Sequence, residues 1–234
     1  MLKTLGKFMF MIELGLKYIK IFKKTFFHPF ITLKPAYQQL SIDRQEYSNA
    51  VLEFLNIEVD VVGKLPKQDK ILYAINHRSL LDILVMENIF SSSQKNGTWI
   101  AKQDLFDHPF YGKFFKYSGC MSVDLNNGKG MLKFFKMMKK TFAKVDNFNL
   151  YIFPEGERHK GQGIKEFQSG AEKIAKANKL SIVPVFINET LEEIFENAPY
   201  KETKVVQVYI GDIIQEGNLE SNYKVLMNEA EESK

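Results

Sequence analysis

The sequence predicts an α/β fold, with a central mostly parallel or mixed sheet, helices on both faces and an amphipathic helical arm at the amino terminus. Three observations carry this expectation. Apolar, β-rich runs recur at 71–75, 98–101, 120–123, 150–153, 182–187 and 205–210. Helical stretches near 80–90, 109–117, 130–145 and 166–178 separate most of these runs, and that alternation is the pattern of a sheet covered by helices. The first 27 residues break the alternation, with apolar side chains returning every three or four positions.

Composition sets the outer limits. At 234 residues, 45% apolar and 26% charged, the chain is long enough for one large core, or one domain with an appendage. The net charge of +4 is unevenly laid out. Residues 1–34 hold seven Lys and one acid, whereas 189–234 hold eleven acids and four Lys. A lone cysteine, Cys120, excludes an internal disulfide, suits a reducing compartment and reads as a small buried hydrophobe. No apolar stretch reaches the 18 or so residues that span a membrane, and no small-x-small cleavage site follows the short apolar run at Phe8 to Ile12.

Taken in order, residues 2–27 read as a basic amphipathic helix. Phe8, Ile12, Ile19, Phe22 and Phe26 share one face, and Lys3, Lys7, Lys17, Lys20 and Lys24 gather on the other. This pattern suits a helix lying in an anionic membrane interface, and it also suits a helix docked on its own domain with a solvated lysine face. His28-Pro29 ends it. A second helix is expected from about Ile42 to Leu55, which gives an arm of residues 1–58 and an α/β domain of residues 59–234.

The strand at 71–75 runs into Asn76-His77-Arg78-Ser79-Leu80-Leu81-Asp82, then into the helical run Ile83-Leu84-Val85-Met86. Polar turns at the carboxyl ends of strands are where α/β sheets place their chemistry. Five residues at about 100° each set two side chains roughly 140° apart on one helix, too far round to meet. For His77 and Asp82 to cooperate, His77 must sit in the turn and Asp82 in the first helical turn. Ser79 followed three residues later by Asp82 also fits a helix-start capping box, in which Asp82 serves only the backbone.

Lys102 follows the strand at 98–101 and so belongs at the same sheet edge. Residues 101–144 carry nine Lys against three Asp, a balance suited to anionic headgroups or a phosphorylated carrier, and equally to a solvated face. No nucleic-acid recognition motif accompanies the charge. Next comes Leu150-Tyr151-Ile152-Phe153-Pro154-Glu155-Gly156-Glu157-Arg158, again a strand entering a turn. Gly156 permits close backbone approach, and the guanidinium of Arg158 offers a planar fork of donors for a phosphate. The plainer reading is a Pro-Gly turn with a surface Glu–Arg pair. No His pair stands at metal-ligand spacing and no Gly-x-Ser-x-Gly elbow occurs, so a metal enzyme and a serine hydrolase lose ground.

Together these stretches resemble the glycerolipid acyltransferases, and most closely the lysophosphatidic acid acyltransferases. Asn76 to Asp82 resembles the family's first block. Ala101-Lys102-Gln103-Asp104-Leu105 and Gly119-Cys120-Met121-Ser122-Val123-Asp124 resemble its second region. Phe153 to Arg158 resembles the third block and Val183-Pro184-Val185 the fourth, so the resemblance covers about residues 60–215. Two positions depart from the pattern: Leu125 stands where the family usually has Arg, and Glu157 where it usually has Thr.

The resemblance implies an O-acyltransferase that moves an acyl group from a thioester to the hydroxyl of a lysophospholipid, lysophosphatidic acid first. An alcohol is a weak nucleophile near neutral pH, and histidine is the side chain suited to take its proton. His77 is then the general base and Asp82 the group that orients it. Lys102 and Arg158 are expected on the acceptor phosphate, with Glu155 and Gly156 shaping that pocket. No metal or cofactor is expected; the co-substrate is acyl-CoA or an acyl carrier protein thioester. Glycerol phosphate or another lysophospholipid as acceptor, and a non-catalytic lipid-binding module, are the alternatives. The expected setting is peripheral or monotopic, at an anionic membrane surface on the cytoplasmic face.

Overall fold

A computed structural model describes residues 8–10, 12–17, 33–79, 81–109, 112–124, 128–159, 163–214 and 218–232. From residue 33 the chain runs α1 (Leu33–Leu55), β1 (Ile57–Val62), β2 (Ile71–Ile75), α2 (Leu81–Ser92) and β3 (Gly97–Lys102). Two short helices, α3 (Gln103–Asp107) and α4 (Gly112–Tyr117), lead to β4 (Met121–Val123). Then follow α5 (Gly128–Phe142), β5 (Asn149–Ile152), α6 (Gly170–Asn178) and β6 (Ser181–Ile187). The chain finishes through α7 (Leu191–Asn197), β7 (Lys204–Ile210) and α8 (Leu219–Glu232).

The strands form one mixed sheet in the order β1-β7-β6-β2-β5-β3-β4. β2 lies at its centre, and every residue of Ile71 to Ile75 is buried because helices cover both faces. Alternation sends Ile71, Tyr73 and Ile75 to one side, where they pack with α1 and α2. Leu72 and Ala74 point to the other side, among residues of α5, α6 and α8. The strands from β4 across to β6 are parallel, which gathers their carboxyl ends at one edge. β7 is antiparallel to β6, and β1 runs parallel to β7, so this outer pair points the other way.

α1 starts nine residues before the expected Ile42. Pro35 in its first turn has a fixed φ that suits a helix start. Ser41 is buried in mid-helix, where its hydroxyl donates to the Gly97 carbonyl. The 109–117 stretch yields α4 alone, and α3, α7 and α8 lie outside the helical stretches the sequence marks. α8 is acid-rich, and its charge hid the buried stripe Leu219, Tyr223, Leu226 and Ala230.

In the arm, residues 8–10 and 12–17 are helical. Phe10 stacks on Phe54 near the end of α1, with ring centroids 3.7 Å apart, and Leu14 packs on the first core cluster. Phe8, Met9, Ile12 and Leu16 stay exposed, and Lys17 pairs with Glu13 at 3.1 Å. Ile19, Phe22, Phe26, the lysines at 3, 7, 20 and 24, and the expected helix end at His28-Pro29 lie outside the described residues. No described helix is long and apolar enough to cross a membrane.

Candidate active site

The turn after β2 is fixed before any substrate is considered. Asn76 is buried, donates through Nδ2 to the Ile187 carbonyl (2.9 Å) and accepts the Ile187 N–H on Oδ1 (2.8 Å). Its own N–H donates to the Tyr223 hydroxyl (2.8 Å), and that hydroxyl donates to the Val185 carbonyl. β2, β6 and α8 are thereby joined one residue before His77.

His77 and Asp82 meet as the spacing requires. Asp82 Oδ2 lies 3.0 Å from His77 Nδ1 and accepts the backbone N–H groups of Arg78 (2.7 Å) and Ser79 (2.9 Å). The capping role and the pairing role therefore coexist on one oxygen. With a carboxylate at Nδ1, the neutral imidazole keeps its proton there and leaves Nε2 as the acceptor nitrogen. Ser79 Oγ accepts the Leu81 N–H at 3.2 Å, which uses the hydroxyl as a cap. Arg78 turns its guanidinium to the Gly163 carbonyl (2.7 Å) and over the Phe186 ring.

The turn after β5 docks against the same histidine. Glu155 is buried behind the site, where Oε1 accepts the His77 N–H (2.7 Å) and Oε2 the Lys165 N–H (2.8 Å). Burial pushes this carboxyl up, against the pull of those two backbone donors. The His159 N–H donates to the His77 carbonyl at 2.7 Å, so the two turns hold each other from both sides. Gly156 closes the turn at φ +73°, and a Cβ there would stand 2.6 Å from the Gln168 amide nitrogen. Only glycine meets both conditions without rearrangement. The Phe153 ring lies on the His77 imidazole, 3.7 Å between centroids and 11° from parallel.

A cavity of about 640 Å³ opens over these turns. His77, Lys102, Gly156 and Arg158 line it, whereas Asp82 and Glu155 stand behind the lining. Its deeper wall is apolar, with Trp99, Ile100, Phe115, Val123 and Ile152 among its residues. Lys102 ends β3 as expected, and both it and Arg158 are exposed. Glu157 pairs with Lys165, not with Arg158.

Three supports of the site were not legible in the motifs. Trp99 stacks on Phe153 at 5.0 Å and donates its indole N–H to Glu87 Oε1 (2.8 Å). Glu87 also accepts the Nε–H of the buried Arg44 at 2.6 Å. Tyr223 reaches Asn76 across 147 positions of sequence, and Lys165 anchors Glu155. A buried pair of opposite charges on two helices has no local pattern to read. Among the described residues no group of three or more His, Cys, Asp or Glu could hold a metal ion.

Comparison with known proteins agrees with this architecture. A family model described as Acyltransferase matches residues 56–188, more than half of the chain. A 1-acyl-sn-glycerol-3-phosphate acyltransferase of Helicobacter pylori J99 is 34% identical over 150 residues, covering 63% of this chain and 60% of that protein. An Escherichia coli K12 protein of the same name is 27% identical over 143 residues, covering 58% and 54%. The chain thus spans less than two thirds of the length of these curated relatives. The crystal structure of the 1-acyl-sn-glycerophosphate (LPA) acyltransferase PlsC from Thermotoga maritima superposes with a TM-score of 0.64. It covers 95% of each chain at 18% identity, a likeness of fold.

Proposed function

Because the chain belongs to the acyltransferase family, we infer that it esterifies lysophosphatidic acid to phosphatidic acid with an acyl thioester as donor. The observation that carries this reading is the Asp82-oriented imidazole of His77 at the wall of a cavity that is cationic at its mouth and apolar in its depth. The name that the relatives carry supports the acceptor.

In this reading the acceptor hydroxyl gives its proton to His77 Nε2 as its oxygen attacks the thioester carbonyl carbon. The carbon–sulfur bond then breaks, and the imidazolium returns the proton to the departing thiolate. Asp82 stabilises the imidazolium between these events. No protein nucleophile is needed, and the Ser79 hydroxyl is occupied as a cap. Lys102 and Arg158 meet the acceptor phosphate at the mouth, where Glu155 and Gly156 hold the turn that presents Arg158. The apolar wall takes acyl chain. The donor is acyl-CoA or an acyl carrier protein, with no cofactor.

Residues 59–234 carry the chemistry and residues 1–58 the membrane association, although α1 is also part of the core. Burying an apolar face on Phe54 while Phe8, Met9, Ile12 and Leu16 face outward is the arrangement of an interfacial helix. The protein works as a peripheral or monotopic membrane protein at an anionic surface, on the cytoplasmic face.

The test supplies acyl-CoA or acyl carrier protein thioester with lysophosphatidic acid, glycerol 3-phosphate or a choline-capped lysophospholipid, and reads products by mass spectrometry. Phosphatidic acid and free thiol are expected, and Arg158→Ala should raise the acceptor KM more than Lys102→Ala does. Transfer to glycerol 3-phosphate alone would move the reading to another acceptor. Vesicle binding with no transfer from either donor would replace it with a lipid-binding module.

A further inference from the structure

The mouth of the cavity contains an anion of its own. Glu157 follows the buried Glu155 by two positions and lines the cavity beside Arg158 and Lys102. Its carboxylate is ion-paired with the ammonium of Lys165, and both side chains are about half exposed. Lys102 acts on the same carboxylate from the end of β3. Two cations therefore act on this carboxylate, Arg158 lines the same cavity, and Asp104 on α3 is a further acid on the wall. A carboxylate paired with a lysine is the nearest thing a protein side chain offers to a phosphate monoester bound by the same cation.

We propose that Glu157 occupies part of the place the acceptor phosphate must take, and that Lys165, released from Glu157, becomes a third cation on that phosphate. This deepens the acceptor reading given above and rests on it. Each oxygen lone pair of the incoming phosphate replaces one of Glu157, so the exchange costs the site no unpaired cation. It also sorts acceptors by charge. A dianionic monoester displaces Glu157 on favourable terms, whereas a choline-capped diester brings its own cation and a single negative charge, and does not. Lys165 holds the Glu157 carboxyl below the usual carboxylate range, so the competitor is ionised at neutral pH.

The pairing concerns side chains only. Lys165 anchors Glu155 through its backbone N–H, which a side-chain substitution leaves in place. The two effects therefore separate in variants.

The experiment measures kcat and KM of the full chain at low ionic strength for lysophosphatidic acid and for a choline-capped lysophospholipid. Glu157→Gln is expected to lower the KM for lysophosphatidic acid by about two- to fivefold, the range of an exposed ion pair. Lys165→Ala is expected to raise it by a similar factor, because Glu157 then turns to Lys102 and Arg158. Neither should shift the KM for the choline-capped acceptor as far, and kcat should move less than KM. An unchanged lysophosphatidic acid KM in Glu157→Gln overturns the proposal while the acceptor reading stands. Equal use of the two acceptors by the unaltered chain removes the acceptor reading, and the proposal with it.

Discussion

Asn76 and Ile187 exchange two hydrogen bonds, side-chain amide to backbone, at 2.9 and 2.8 Å. They stand 111 residues apart in sequence, and the exchange closes the gap where β2 and β6 run out of ladder partners. An asparagine amide does here what another peptide group would do, and it does so immediately before His77.

Asn76→Ala should therefore act on stability and activity together. It leaves the buried Ile187 N–H and carbonyl without partners, at a cost of about 2–4 kcal/mol. Thermal unfolding of the purified variant gives the measure. A melting temperature within a degree or so of the parent would mean that water replaces the amide, and that Tyr223 alone holds the turn.

His77→Ala and Asp82→Asn separate chemistry from capping. Loss of the base should reduce transfer by about a hundred- to ten-thousand-fold with little change in unfolding. Asp82→Asn keeps an acceptor for the Arg78 and Ser79 N–H groups but removes the charge facing the imidazole, so activity should fall further than stability. Asp82→Ala should lose about 1–2 kcal/mol as well, the worth of a helix cap. Full specific activity in Asp82→Asn would reduce Asp82 to a cap.

Much of this site was legible because its parts are local. The five-residue spacing of His77 and Asp82 fixed which of them had to lie in the turn, and the geometry agrees at 3.0 Å. The strand positions followed from runs such as Ile71 to Ile75, whose full burial needs an unbroken apolar stretch. Tyr223, Glu87 and Lys165 carried no such signal. Each matters through a partner on another element, and sequence spacing cannot express a contact made across layers. The start of α1 was missed for a related reason, since its amphipathicity is weak and its buried Arg44 reads as a surface residue.

Arg44 and Glu87 provide the next expectation. The pair is buried between α1 and α2, and Glu87 also receives the Trp99 indole that floors the cavity. Arg44→Met should cost about 3–5 kcal/mol, because it strands the Glu87 carboxylate. Adding Glu87→Leu should recover part of that loss, since an apolar pair needs no compensation. Trp99 fluorescence follows the indole in each variant. A double variant no more stable than Arg44→Met would mean that packing around Arg44, and not its charge, sets the cost.

The arm makes a prediction about vesicles. The full chain should co-sediment with anionic vesicles, and a chain lacking residues 1–34 should bind much less. Phe8→Asp with Ile12→Asp should weaken binding even at low salt, because those two exposed side chains supply the apolar contact. Added salt should loosen binding without abolishing it, since screening reaches only the lysine contribution. Equal sedimentation of full and shortened chains would transfer the contact to another surface, with the lysines of α5 the first to test.

The reversal of β7 settles where the arm is moored. Because β1 runs with β7 and against β2, it begins at the edge where β2 ends. α1, about 34 Å long at 1.5 Å per residue, climbs the full height of the sheet to deliver the chain there. Phe54, on which Phe10 stacks, therefore lies at the end of α1 that leads to this same edge. An all-parallel sheet would start β1 at the opposite edge and moor the arm away from the turn that carries His77 and Asp82. One change of strand direction thus brings the mooring of the arm to the edge of the sheet that carries His77.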